Sequence, residues 1–267
     1  MVIDFTKMEG LGNDYIYINS INKNYEKIIN NIPKLCNRNF GIGSDGVILI
    51  LESNIADFKM KMFNADGSEA GMCGNGIRCV GKFLYDKGLT KKLKLNIETL
   101  SGIKVLNLSI GKDNKVVRVM VDMGKASNSS KKEIVINDEI IKLKCVSVGN
   151  PHAIAIVDNV DNVNVKKYGP IIENDVSFPQ KTNVEFVQIL NNRNIKMRVW
   201  ERGTGETLAC GTGACASAVI CILERYTLND VYVHLLGGIL HIMFNRTDNH
   251  IYMAGPATTV YEGKIIL

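Results

Sequence analysis

The chain has 267 residues, a net charge of +5 and 46% apolar side chains, which suits two domains of about 130 residues, each with its own core. Lysine and arginine are interleaved with acid along the whole length, and no dense basic block carries aromatic residues, which argues against nucleic acid and suits a small anionic metabolite. The longest apolar runs, such as 47–51, fall far short of the roughly 20 residues of a membrane span. Asp4 and Lys7 interrupt any secretory signal, so the seven cysteines are expected to be reduced thiols in a cytoplasm.

In chain order, alternating apolar and polar residues predict strands at 16–19, 47–51, 93–99, 102–110, 116–122 and 140–148. The stretch GKDNK at 111–115 reads as the turn between two of them. A helix is predicted over 25–37, with Pro33 bending or interrupting it. Two more, at 76–87 and 213–225, follow glycine-rich turns. Both are apolar on most faces and are expected to be buried. The texture is that of a strand-rich α/β (α+β) protein.

The sequence also repeats itself. KMFNADGSEAGMCGNG, from Lys61, aligns without a gap on RVWERGTGETLACGTG, from Arg198, at an offset of 137, the separation of Cys73 from Cys210. The same offset sets Gly12-Asn13 on Gly149-Asn150 and Gly46 on Asn183, each of the latter followed by an apolar run. Two homologous halves follow, with a boundary near 112–125. Chance similarity of glycine turns leaves the joint register of the cysteines and the Gly-Asn pairs unexplained.

Each repeat offers a strand, a polar turn and then Cys-Gly-X-Gly leading into an apolar helix. Glycine lets the backbone approach a ligand, and the first turn of a helix leaves N–H groups free for a carboxylate. The same helix start is expected to lower the pKa of a thiol. A lone cysteine is more often a small buried apolar residue. Cys36, Cys79, Cys145, Cys215 and Cys221 are read that way, whereas the paired context sets Cys73 and Cys210 apart. Their spacings to Cys79 and Cys215, six and five residues, do not suit a zinc knuckle, and the sequence holds no Cys-X-X-Cys redox pair. Two like acids in equivalent positions suit the inversion of a stereocentre, with a base on one face of a carbon and an acid on the other.

At these residues the chain resembles the diaminopimelate epimerase family. The matching stretches are KMEGLGNDY at 7–15, GIGSDG at 41–46, FNADGSEAGMCGNGIRC at 63–79, GNPH at 149–152, TNVEF at 182–186, ERGTGETLACGTGACA at 201–216 and GPATTVYEG at 255–263. The resemblance implies two pseudo-symmetric domains, 1–118 and 119–255, each with strands wrapped around a central helix, and an active site in the cleft between them. The C-terminal strand, 256–267, is expected to pack back on the first domain. It further implies interconversion of LL- and meso-diaminopimelate in lysine and peptidoglycan precursor biosynthesis, with no cofactor, neither pyridoxal phosphate nor metal.

Carried over by motif, Cys73 and Cys210 are the proton-transfer residues, and His152 and Glu201 influence their pKa. Substrate contacts fall on Asn13, Asn64, Asn150, Asn183, Glu201 and Arg202, and the turns Gly74-Asn75 and Gly211-Thr212 hold the α-carboxylate. Some members carry Gln where this chain has Gly46, so a contact from that position is not carried over. By the residues alone, Asn13 and Asn150 read as turn residues or as contacts, and their match at the repeat offset favours contacts. Arg202 reads as a solvated charge or, beside Glu201, as a fork for a carboxylate. His152 reads equally as structural or as a neighbour of the chemistry, while His234, His241 and His250 have no supporting context.

The expected partners are a small-molecule substrate, diaminopimelate, and a second copy in a homodimer, with neither nucleic acid nor membrane. Two rivals remain open. One is another cofactor-free racemase of the same fold, acting on proline or hydroxyproline, which would have no need of Glu201, Arg202 and Asn13 for a distal group. The other is a thiol-based binding or redox-sensing protein, which would bind without exchanging an α-proton.

Overall fold

The computed structural model describes residues 1–127 and 129–267. They form two compact units, one of Met1–Val121 with Gly255–Leu267 and the other of Asp122–Ala254.

The first unit opens on an antiparallel hairpin of β1 (Val2–Gly10) and β2 (Asn13–Asn19). Its two central residues, Leu11 and Gly12, have φ of 58° and 86°, the backbone of a tight two-residue hairpin turn that matches strand twist. The helix expected over 25–37 is two short ones, α1 (Glu26–Ile29) and α2 (Ile32–Cys36). Pro33 lies in the first turn of α2, where its missing N–H costs no helical hydrogen bond. The chain continues through β3 (Gly46–Leu51), β4 (Phe58–Asn64), β5 (Glu69–Ala70), α3 (Gly74–Asp86), β6 (Lys94–Thr99), β7 (Gly102–Ile110) and β8 (Val116–Lys125). β3 is buried at every position and pairs in parallel with β2 and antiparallel with β4. α3 packs against β1, β2 and β7. The C-terminal strand Thr258–Ile266 pairs antiparallel with β1, and the terminal ammonium of Met1 donates to the Leu267 carbonyl at 2.8 Å.

The second unit holds β9 (Ser130–Ile136), β10 (Glu139–Ser147), β11 (Pro151–Ile156), α4 (Val165–Glu173), β12 (Asn183–Asn191), β13 (Asn194–Glu201), β14 (Gly205–Glu206), α5 (Gly211–Leu223), β15 (Asp230–Leu235), β16 (Gly238–Asn245) and β17 (His250–Gly255). α5 packs against β10, β11, β12, β13, β15 and β16 and is buried from Gly213 to Ile222. This accounts for a helix that is apolar on nearly every face. α4 escaped the sequence reading because its Gly169-Pro170 looks like a helix breaker. The glycine is there for packing: a Cβ at 169 would lie 2.4 Å from the Trp200 ring.

The repeat is visible in the strand register. Tyr15 pairs with Gly46 across β2 and β3, and His152 pairs with Asn183 across β11 and β12. Phe63 faces Glu69, and Trp200 faces Glu206. α3 and α5 begin and end at the same offset of 137 residues. Each unit is thus a copy of one mixed, mostly stranded α/β fold wrapped around a central helix. Among the described residues no helix is long and apolar enough to cross a membrane.

Candidate active site

Cys73 and Cys210 occupy the same structural position in the two units. Each is the N-cap of its helix, with extended φ and ψ of −120° and 122° for Cys73 and −114° and 114° for Cys210. The Cys73 sulfur accepts the backbone N–H of Gly76 at 3.4 Å, and the Cys210 sulfur accepts that of Gly213 at 3.4 Å. A sulfur thus takes the place usually filled by a Ser or Asp oxygen at a helix start. Close packing explains the third residue of each helix. A Cβ at Gly76 would lie 2.9 Å from Ile48 Cδ1, and one at Gly213 would lie 2.6 Å from Glu185 Oε1. The remaining N–H groups of each first turn favour a bound anion.

Around Cys73, Asn13 opens β2 with both ends of its amide engaged. Its Oδ1 accepts from the Cys73 thiol at 3.0 Å, and its Nδ2 donates to Asp45 at 2.9 Å. Asp45 in turn accepts from Arg38 at 2.9 Å, and Arg38 also bonds Asp14, which pairs with the buried Lys7. Burial opposes ionisation of Asp14, yet the bonds from Arg38 and Lys7 hold its pKa at about 2. The buried Tyr15 hydroxyl lies within reach of Asn13 and Cys73, and burial, then the charges of Cys73 and Asp45, push it well above its usual range. Gly74 and Asn75 form the start of α3, but the Asn75 side chain turns back to accept from Arg78 at 3.0 Å. Asn64 is exposed at the end of β4 and donates to Ser68 at 3.0 Å. No side chain fits at position 46, where a Cβ would lie 2.1 Å from the Phe63 carbonyl and 2.7 Å from the Tyr15 ring.

Around Cys210 the set differs. His152, 1% exposed, lies between two partners: Nδ1 is 2.7 Å from Glu185 Oε1 and Nε2 is 3.0 Å from Asn150 Oδ1. The Asn183 amide is engaged inside the unit, donating to the Pro151 carbonyl at 2.9 Å and accepting the Arg202 backbone N–H at 3.0 Å. It therefore shapes the Glu201–Arg202 turn. The exposed Arg202 guanidinium donates to the Gln180 carbonyl at 2.9 Å, and Glu201 accepts from the Thr207 hydroxyl at 2.5 Å. Glu173 braces the same turn from α4, accepting from Trp200 Nε1 at 2.7 Å and from the Gly203 N–H at 3.0 Å. Gly211 and Thr212 form the start of α5, with the Thr212 hydroxyl 3.5 Å from the Cys210 sulfur.

The expectation of a lowered thiol pKa at a helix start is not met at Cys210. Burial, then the charges of Glu201 and Glu185, push this thiol well above its usual value, against the smaller opposing bonds from Thr212 and the Gly213 N–H. A dipole worth a fraction of a charge does not offset desolvation plus two carboxylates. Cys210 in the unliganded protein is therefore a neutral thiol at pH 7. Its alkylation by iodoacetamide, read by peptide mass spectrometry, is expected to be slower than that of a free cysteine at pH 7 and to accelerate only well above pH 9. Rapid labelling of Cys210 at pH 7 would contradict the assignment. Of the other cysteines, Cys36, Cys79, Cys215 and Cys221 are buried and Cys145 is half-buried. Burial pushes Cys79 and Cys221 up to about 12.

Sequence reasoning missed Glu185, Tyr15 and Asp45. The repeat carried a signal for the first: at the 137 offset Glu185 falls on Ile48 and His152 on Tyr15, so an acid stands in one half where the other has an apolar strand residue. Two surface hollows of the first unit, of about 370 and 420 Å³, are lined by other residues and do not include Cys73.

Comparison with known proteins places these features in context. Residues 5–128 and 144–260 match the family described as diaminopimelate epimerase. A diaminopimelate epimerase of Methanococcus maripaludis is 56% identical, covering 98% of this chain and 99% of its own length. Another, from Acetivibrio thermocellus, is 51% identical and covers 98% of each. Among solved structures, a PhzF-family phenazine biosynthesis protein of Bacillus anthracis superposes with a TM-score of 0.76 at 17% identity, covering 100% of both chains. A hydroxyproline epimerase of Agrobacterium vitis does so with a TM-score of 0.75 at 12% identity, covering 99% of this chain and 91% of that one. At such low identity these two structures establish the fold alone.

Proposed function

Because the chain belongs to the diaminopimelate epimerase family, we propose that it interconverts LL- and meso-diaminopimelate by a two-cysteine proton transfer that needs no cofactor. The observation that carries the mechanism is the duplicated turn in which a cysteine sulfur caps a buried helix. In this reading each half, 1–118 with the C-terminal strand 256–267 and 119–255, contributes one cysteine and one set of first-turn N–H groups.

One sulfur is thiolate and takes the α-proton: the Cα–H bond breaks, an S–H bond forms, and the electron pair passes toward the α-carboxylate. The other is a thiol and delivers its proton to the opposite face: its S–H bond breaks and a new Cα–H bond forms. The two sulfurs end with their protonation states exchanged. Two neighbouring anions would repel, so the reacting pair is one thiol and one thiolate; with Cys210 a neutral thiol and the Cys73 thiol donating to Asn13, one of the two gives up its proton when substrate binds. The α-proton is far less acidic than a thiol, so charge building on the carboxylate needs fixed donors in a site shielded from water. The N–H groups of Gly74-Asn75 and Gly211-Thr212 are suited to that task.

Asn13, Asn64, Asn150, Asn183, Glu201 and Arg202 complete the proposed substrate set, with His152 and Glu201 acting on the cysteines. Carboxylates near Cys210 raise its pKa, which supports the part given to Glu201. The reading includes a cytoplasmic homodimer that serves lysine and peptidoglycan precursor synthesis. Purified protein given LL-diaminopimelate without added cofactor should form the meso isomer, seen by chiral chromatography. Turnover of proline or hydroxyproline instead would favour the rival racemase, and binding without turnover the rival sensor.

A further inference from the structure

The two halves use the same asparagine in opposite senses. In the first unit Asn13 offers its carbonyl to the Cys73 thiol, and its NH2 is held by Asp45. In the second unit the equivalent Asn150 has its carbonyl oxygen 3.0 Å from His152 Nε2. A carbonyl oxygen can only accept, so Nε2 must carry the proton and donate it. The Asn150 NH2 then has no acceptor among the described residues.

What fixes the imidazole this way lies beneath it. Glu185 Oε1 is 2.7 Å from His152 Nδ1, and both side chains are fully buried. One proton lies between these two atoms. Whether it rests on the carboxyl or on the ring, Nε2 keeps its own proton and still points at Asn150. The carboxylate is placed with care: Oε1 sits against the first turn of α5, in the space a Cβ at Gly213 would need. Its second oxygen is buried and accepts no hydrogen bond from the described residues. The first half has Tyr15 and Ile48 at these two positions, so nothing there reproduces the couple. An unneeded buried acid is costly, and an apolar residue already fills its place in the sister fold.

Resting on the functional reading above, we propose that Glu185 is a positioning residue: through His152 it holds the Asn150 carbonyl and so turns the Asn150 NH2 toward an acceptor group of the substrate. The relay makes the second half-site a hydrogen-bond donor where the first presents an acceptor to its own cysteine.

Two experiments test it. In protein carrying 15N-labelled histidine, NMR should find the His152 Nε2 protonated in the unliganded enzyme; a bare Nε2 overturns the proposal, and this readout needs neither substrate nor a variant. In kinetics, Glu185→Ile, which installs the residue of the first half, should raise KM by about tenfold, the scale of one hydrogen bond to a charged group. Glu185→Gln should restore most of the loss, because its amide N–H can donate to Nδ1 and leave Nε2–H in place. In an Asn150→Ala background the Glu185→Ile change should add no more than about twofold, because its target is gone. An unchanged KM in Glu185→Ile, or a loss of equal size in the Asn150→Ala background, overturns the proposal. Failure of the unmodified enzyme to turn over diaminopimelate would refute the functional reading instead, and the NMR result would still decide the relay.

Discussion

Cys73→Ala and Cys210→Ala should each reduce epimerisation by about 10³-fold or more, the scale expected when an acid or base in direct contact with the transferred proton is removed. In the proposed mechanism each direction needs both sulfurs, one to take a proton and one to give it, so either loss stops turnover both ways. The fold should survive. The sulfur accepts one N–H at 3.4 Å in each helix, and loss of a cap costs about 1 kcal/mol. Serine keeps a capping oxygen but is a far poorer base, so Cys→Ser variants should fold like the parent and still be severely slowed. Chiral chromatography of the products, with circular dichroism to confirm folding, checks both parts. Near-normal turnover in either alanine variant would refute the two-cysteine assignment.

Arg78→Met should destabilise the protein by about 3 kcal/mol, the range for breaking a buried, charged hydrogen-bond network. Arg78 has 0% exposure. Its Nε donates to the Pro256 carbonyl at 3.0 Å, and its Nη1 donates to the Gly74 carbonyl at 3.1 Å and to Asn75 Oδ1 at 3.0 Å. One guanidinium thus ties the returning C-terminal segment to the first turn of α3, beside Cys73. Methionine fills much of the volume but supplies none of these donors. The urea midpoint should fall with little change in slope, and a midpoint equal to that of the parent would contradict this account.

Much of this architecture was legible in the sequence because it was written twice. The helices expected at 76–87 and 213–225 are α3 and α5, which start and end one or two residues earlier, and the offset that joins Cys73 to Cys210 also relates the pairing of Tyr15 with Gly46 to that of His152 with Asn183. Strands such as β7, Gly102–Ile110, follow from alternation alone. Local signals failed where packing overrides them. Gly169-Pro170 reads as a breaker, yet Trp200 needs the missing side chain and α4 runs through both residues. Glu185 is hidden within a strand of apolar neighbours, and its role depends on His152, 33 residues away in the chain. The charge state of Cys210 escaped for the same reason: the helix start is visible locally, whereas burial and the two carboxylates that outweigh it are tertiary facts.

Transfer by two separate sulfurs has an isotopic consequence that does not depend on structure. A delivering cysteine that has equilibrated with heavy water carries deuterium, whereas the proton taken from the substrate stays on the other sulfur. LL-diaminopimelate converted in heavy water and stopped early should therefore give meso product with deuterium at the inverted carbon. The unreacted LL substrate should carry much less, because the removing thiol returns its proton before exchange. A single base swinging between the two faces would carry the original hydrogen across, so early meso product rich in protium would contradict the two-cysteine mechanism.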